Sequence, residues 1–239
     1  MGQQTECARC YILQDENTAD NLQAHHFDVA YWQGKAGFSR IDGGRGGSVR
    51  ILINGQKAIL RRYLRGGLVA RFVSDQYLWL GKHNTRPWRE WSILKMAKAA
   101  GLPVPEPLGV CVSRCGFCYR AALMTDFFED TKTLAECLMH NSLPGGAWLQ
   151  LGRTLKRFHI HGIRHADLNA NNILIDPQGR FFIIDFDRAQ RMKSLGDWQW
   201  KPLYRLQRSL KKINTRNRLQ FGAADWQALM DGYQAYCDS

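Results

Sequence analysis

The sequence predicts an α+β protein of two unequal lobes, a small antiparallel sheet followed by a shortened, mostly helical part. Short β-type runs crowd residues 38–124, and amphipathic helical periods dominate after residue 126. A glycine-rich turn and an Asn-Gly pair punctuate the strands as hairpin connections do. This divides the chain into an N-terminal extension over 1–36, a first lobe over 37–125 and a second over 126–239.

Each element has a local reason. Residues 1–36 mix short apolar and polar runs without a sustained period. Residues 38–41 and 48–53 read as strands joined by Asp42-Gly43-Gly44-Arg45-Gly46-Gly47. Asn54-Gly55 then turns the chain into a strand over 57–62. A helix is expected over 87–100, with Pro87 in its first turn, Gly101 at its end and Trp88, Trp91, Leu94 and Ala97 on one face. Pro103, Pro105 and Pro107 force an extended passage. Residues 108–112 and 119–124 make another antiparallel pair around the tip Cys115-Gly116-Phe117-Cys118. In the second part, Trp148, Leu151, Leu155 and Phe158 mark a helix stopped by Gly162. Strands over 172–175 and 181–184 flank the turn Asp176-Pro177-Gln178-Gly179, and helical patterns return over 198–212 and 225–236.

A hydrophobic fraction of 45% supports a packed core across 239 residues, and the formal net charge of +12 favours anionic partners. Those partners could be nucleic acid, an acidic membrane or a phosphate-bearing substrate. The first ten residues lack the apolar core of a signal peptide, and no run of 18 apolar residues occurs. Glu6 stands where a myristoylation signal needs Ser or Thr, and without an export signal a cytoplasmic location is expected. Cys7-x-x-Cys10 and Cys115-x-x-Cys118 are too far apart for a zinc ribbon, and the second suits a hairpin tip.

Chemistry concentrates in His165-Ala166-Asp167-Leu168-Asn169-Ala170-Asn171-Asn172 and in Ile184-Asp185-Phe186-Asp187. These match the H-x-D-L-x-x-x-N and D-F patterns of protein kinases, at a suitable interval and between apolar strands. The predicted fold is therefore a two-lobed protein-kinase-like fold. Phosphoryl transfer from ATP needs a divalent cation, so Asp185 and Asn172 are the expected Mg2+ ligands. Asp167 is placed to take the proton of the attacking hydroxyl. The backbone of Gly44, Arg45, Gly46 and Gly47 is expected to cover nucleotide phosphates, although Val49 occupies the place of the third spaced glycine. In Ala58-Ile59-Leu60-Arg61, Arg61 takes the position of the kinase lysine, with Glu90 as its ion-pair partner.

Asn169 replaces the lysine that protein kinases place two residues after the catalytic aspartate, so another cation or the metal itself must balance the γ-phosphate charge. No A-P-E sequence follows Asp187, and the fifty or so remaining residues leave little room for a peptide-binding lobe. The acceptor is thus expected to be a small molecule or a lipid. His159, His161 and His165 belong to a helix end and the loop pattern rather than to a zinc site. The basic stretches Arg61-Arg62-Tyr63-Leu64-Arg65 and Arg205 to Arg218, with Arg208, Lys211, Lys212 and Arg216, could be solvated faces or contacts for an anionic substrate or membrane.

Taken together, the chain resembles the 3-deoxy-D-manno-octulosonic acid (Kdo) kinases of Gram-negative bacteria. Arg62-Tyr63-Leu64-Arg65-Gly66-Gly67-Leu68, Gly101-Leu102-Pro103-Val104-Pro105-Glu106-Pro107, His165-Ala166-Asp167-Leu168-Asn169 and Asp185-Phe186-Asp187 carry the resemblance from about residue 30 onward. It implies ATP-dependent phosphorylation of the 4-hydroxyl of Kdo on a lipid A precursor, during assembly of the lipopolysaccharide inner core. It also implies a peripheral position on the cytoplasmic face of the inner membrane, against an anionic lipid surface. Asp167 would be the base, Asn172 and Asp185 the metal ligands and Arg61 the phosphate anchor. No nucleic acid partner is expected, and the sequence sets no oligomeric state. A heptose kinase of the same pathway, an atypical protein kinase acting near RNA and a non-catalytic binding module are the rival readings.

Overall fold

The computed structural model describes residues 3–7, 10–15, 21–41, 47–63, 77–140, 142–217 and 221–236. The chain divides into two compact units, Met1–Lys95 with Glu106–Phe127, and Met96–Pro105 with Phe128–Ser239. The first carries β1 (Gln3–Cys7), β2 (Cys10–Gln14), α1 (Val29–Trp32), β3 (Ser39–Arg40), β4 (Ser48–Ile53), β5 (Gln56–Arg62) and β6 (Tyr77–Leu78). Helix α2 (Arg86–Ala99) starts within it, and β7 (Pro107–Cys115) and β8 (Cys118–Asp126) complete its sheet. Strand order is β1-β2-β7-β8-β5-β4-β3, with β6 paired to β8.

The β4–β5 hairpin forms where Asn54-Gly55 requires it. Both turn residues have positive φ (52° and 77°), the combination that a two-residue turn matching strand twist demands. Alternation along β4 buries Val49, Ile51 and Ile53, which pack with Ala58, Leu60 and Met124. On α2, the predicted face of Trp88, Trp91, Leu94 and Ala97 is buried. Cys115 and Cys118 face each other across the tip of the β7–β8 hairpin, as their spacing suggested.

Residues 1–36 depart from their reading as an extension. Strand β2 pairs antiparallel with β7, from Cys10↔Ser113 to Gln14↔Gly109. Leu22, Phe27 and Trp32 join the same core as β4 and β5. The partner strand lies about a hundred residues away, so no local hairpin signal marks β2, and its apolar alternation spans only five residues. The second unit likewise gains residues 96–105, and the change of unit falls after Phe127 rather than after residue 125.

The second unit contains β9 (Lys132–Thr133), α3 (Leu134–His140), α4 (Ala147–Ile160), β10 (Ile163–Arg164), β11 (Ile173–Ile175), β12 (Phe181–Ile183), β13 (Gln190–Arg191), α5 (Trp200–Asn217) and α6 (Ala223–Ala235). Its strands form one sheet ordered β12-β11-β9 and a small pair β10-β13. Helix α3 has no counterpart in the sequence reading, because seven residues are too few to establish a helical period. Its start does carry a capping box. Thr133 N donates to Glu136 Oε2 at 2.7 Å, and Glu136 N donates to Thr133 Oγ1 at 3.1 Å.

Helices α4 and α6 cross with their backbones in contact. A Cβ on Gly152 would lie 2.0 Å from the Leu229 carbonyl oxygen, and one on Gly232 would lie 2.0 Å from that of Leu149. Only glycine fits at either position. Beside the crossing, His159 Nδ1 and the Tyr233 hydroxyl are hydrogen-bonded at 2.7 Å. Burial pushes the His159 imidazole down to about 3 and the Tyr233 hydroxyl up to about 12, so both are neutral in the fold.

Two outcomes follow from this packing. Gly232→Ala should cost about 3 kcal/mol of stability, because the obstruction is backbone and cannot swing aside; an unchanged thermal midpoint would contradict so close a crossing. The second concerns pH. Unfolded His159 takes up a proton near its ordinary value of 6.5, whereas the folded residue resists until about 3. Through that window the unfolded chain binds more protons, so stability should fall as pH drops below 6.5, by about 1.4 kcal/mol per pH unit for this residue. Urea unfolding near pH 7.5 and near pH 5 measures the slope, and His159→Leu should flatten it by about one proton.

Candidate active site

The site is built on the β11–β12 hairpin of the second unit, with Ile173 opposite Ile183 and Ile175 opposite Phe181. Ile184 N donates to the Asn172 carbonyl at 3.0 Å, extending the ladder one residue beyond each strand. The chain segment ending at Asn172 and the one leading into Asp185 are thereby held side by side. Asp185 itself has φ 64°, in the left-handed region that Asp tolerates better than most residues. Its neighbour Phe186 is 1% exposed and acts as an anchor, packing edge-on to His165 at 4.9 Å between ring centroids.

His165 ties the loop to that strand end. Its Nε2 lies 3.0 Å from the Ile184 carbonyl oxygen. Burial pushes its basicity down, so the ring is neutral, Nε2–H is the donor, and Nδ1 keeps a bare lone pair. The loop is closed further by the Asp167 carbonyl, which accepts from Asn169 Nδ2 at 2.8 Å and from Asn172 Nδ2 at 3.0 Å. Asn169 Oδ1 in turn accepts from Asn171 N at 2.9 Å. Asn169 is therefore a loop tie. The Asn172 amide nitrogen is committed inward, which leaves its Oδ1 as the oxygen a cation could use.

Arg205, on α5, brings a cation to the loop that lacks the kinase lysine. Its Nε donates to Asp167 Oδ1 at 2.8 Å, and its Nη2 bonds the same oxygen. Among the described residues, Asp167 Oδ2 has no hydrogen-bond partner, and the side chain is 29% exposed. The sequence flagged Arg205 only as the start of a basic stretch. Its link to Asp167 spans 38 residues and no local pattern announces it.

In the first unit, Arg61 and Glu90 form the ion pair expected of them. Glu90 is 3% exposed, and its Oε2 also accepts from the Tyr63 hydroxyl. Tyr63 is a site residue that the sequence reading named only as part of a motif. Its place two residues after Arg61 on an extended segment puts both on one face, which is the signal that could have found it. Arg61 Nη2 lies 3.2 Å from the Tyr63 hydroxyl. Of the glycine-rich segment, Gly47 accepts at its carbonyl from Arg62 N at 2.8 Å. Gly44, Arg45 and Gly46 lie outside the described residues, as does the Arg-Gly-Gly segment at 65–67.

The oxygen donors suit Mg2+. An amide oxygen and a carboxylate are hard ligands, which fit a cation that takes the rest of its shell from water and substrate phosphates.

Comparison with known proteins identifies the family. The model of the lipopolysaccharide kinase (Kdo/WaaP) family matches residues 29–233. A 3-deoxy-D-manno-octulosonic acid kinase from Xylella fastidiosa (strain M12) is 39% identical over 205 residues, covering 86% of this chain and 82% of its own. One from Xanthomonas campestris pv. campestris (strain B100) is 40% identical over 226 residues, covering 93% and 89%. A solved structure of WaaP in complex with acyl carrier protein shares the fold, with a TM-score of 0.58 at 16% identity over 84% of this chain and 78% of that one. With the family's match running through both units and across the catalytic-loop hairpin, the chain belongs to the lipopolysaccharide kinase (Kdo/WaaP) family.

Proposed function

We propose that this protein transfers the γ-phosphoryl group of ATP to the 4-hydroxyl of a Kdo sugar on a lipid A precursor, at the cytoplasmic face of the inner membrane. The observation that carries the reading is Asp167, Asn172 and Asp185 on one hairpin-tethered loop, in a chain about 40% identical to Kdo kinases over most of its length. The acceptor hydroxyl donates to Asp167 Oδ2, the oxygen that Arg205 leaves open. As its oxygen bonds the γ-phosphorus, the bond to the β–γ bridging oxygen breaks, ADP departs with that electron pair, and the hydroxyl proton passes to Asp167. Arg205 holds one oxygen of the carboxylate and so fixes its orientation. Asn172 Oδ1 and the Asp185 carboxylate would hold Mg2+, which neutralises triphosphate charge when bound. Arg61, held by Glu90 and Tyr63, is assigned to the nucleotide phosphates.

A lipid acceptor calls for contact with a membrane surface. Among the described residues no helix is long and apolar enough to cross one. The β6–β8 edge offers a different means. Phe117 is 86% exposed, with Leu80 at 67% and Leu78 at 59%. They are neighbours, because Leu78 pairs with Cys118 and Trp79 N donates to the Phe117 carbonyl at 2.8 Å. Arg114 lies over the Trp79 ring and Lys82 near Tyr11. An apolar tip ringed by aromatic and cationic side chains matches an interfacial anchor in an anionic leaflet.

Labelled phosphate from Mg-ATP should appear on a Kdo-bearing lipid A precursor, and Asp167→Ala should reduce that rate at least about 100-fold. Label on a heptose-bearing core or on protein, with none on the Kdo lipid, would keep the catalytic reading and discard the acceptor. For the membrane contact, Phe117→Glu combined with Leu80→Glu should weaken binding to vesicles of anionic phospholipid by about tenfold or more. Undiminished vesicle binding would remove the tip from the proposal.

A further inference from the structure

The face of α5 that carries Arg205 continues past it. Arg208 and Ser209, then Lys212 and Ile213, follow at helical spacing and line one pocket with Asn169 and Asn171 of the catalytic loop. The pocket holds about 650 Å³, the size of a site for a sugar headgroup rather than for a single ion. Ser209 Oγ accepts from Ala170 N at 3.3 Å, so the helix is fixed directly against the loop that carries Asp167.

The charge of this pocket is one-sided. Three cations, two amides and a hydroxyl line it, and no carboxylate is among its lining residues. No acidic residue occurs in the sequence between Asp197 and Asp225. Arg205 is neutralised by Asp167. Arg208 and Lys212 make no ion pair among the described residues, and they stand four apart on one helix, where like charges repel. An exposed helix face usually relieves such a pair with an intervening acid. Here Asn169 and Asn171 of the loop line the same space instead, with no carboxylate beside them, which is the composition of an oxyanion site.

We infer that Arg208 and Lys212 bind an oxyanion of the acceptor, beside the loop that carries Asp167. The inference rests on the proposed acceptor, a lipid-linked sugar acid, and names the part of the site that selects it. Two groups on such a molecule share the chemistry, the carboxylate of the sugar acid and a phosphate of the lipid. Either would be paired by a guanidinium and an ammonium, with the Asn171 side-chain amide as a neutral donor.

The test is steady-state kinetics of the native protein, Arg208→Gln, Lys212→Gln and the double variant on a Kdo-bearing lipid A precursor. The KM for acceptor should rise at least about tenfold in the double variant. The KM for ATP and kcat should change by less than about twofold, and Arg208→Lys should recover part of the loss. Two further acceptors identify the anion, one with the sugar carboxylate methyl-esterified and one lacking the lipid phosphates. The variants' penalty should vanish on whichever acceptor lacks the group they bind. An acceptor KM that does not move, a penalty equal on all three acceptors, or a parallel loss in kcat and in KM for ATP overturns the pocket while leaving the kinase reading intact. A native protein that phosphorylates no Kdo lipid overturns the reading itself, and the inference with it.

Discussion

A single buried imidazole holds the loop around Asp167 in register with the segment that leads from β12 into Asp185. His165 can do this because it is neutral. Were it charged, its burial would cost far more than one bond to the Ile184 carbonyl returns. Burial therefore selects the protonation state, the protonation state selects the donor nitrogen, and that nitrogen fixes the backbone one residue before Asp185. On the other side of the loop, the Asp167 carbonyl gathers the amides of Asn169 and Asn172. The two ties act on opposite ends of one short segment. Together they hold the stretch from Asp167 to Asn172 beside the segment leading into Asp185.

The departures from the protein-kinase pattern make sense as changes in where charge is stored. A lysine two residues after the aspartate would be an internal cation of the loop. Asn169 instead spends its side chain on loop geometry, and the cation arrives from α5 as Arg205. An arginine can hold one carboxylate oxygen through two nitrogens and leave the other open, which a single ammonium does less rigidly. Arg61 follows the same logic in the first unit. A buried Glu90 needs more than one donor, and Arg61 with Tyr63 supplies them at the same oxygen.

How far the sequence spoke for the structure depended on the range of the signal. Asn54-Gly55, the α2 face and the β11–β12 hairpin are encoded within a dozen residues each, and all appear where their patterns placed them. Strand β2 is as regular as β4, but its partner β7 is distant and its own run is brief, so its membership in the sheet is a tertiary fact. Helix α3 was hidden by length, although Thr133 and Glu136 carried a legible cap. In the site, the residues with a motif were legible as a set. Arg205 and Tyr63 were not, because each matters through a partner that sequence spacing does not identify.

The net charge of +12 is also better understood by position than by sum. Arg61 and Arg205 are consumed by Glu90 and Asp167 and contribute little field beyond them. Arg208 and Lys212 line a pocket without a carboxylate, whereas Arg114 and Lys82 adjoin exposed apolar side chains on a different unit. Pocket and tip lie on different units and carry different cations. Raising salt should weaken a bilayer contact that relies on screened surface charge more than an oxyanion held directly by a guanidinium and an ammonium. In this reading the excess of positive charge is two local requirements, one for an anionic surface and one for an anionic group beside the reacting hydroxyl.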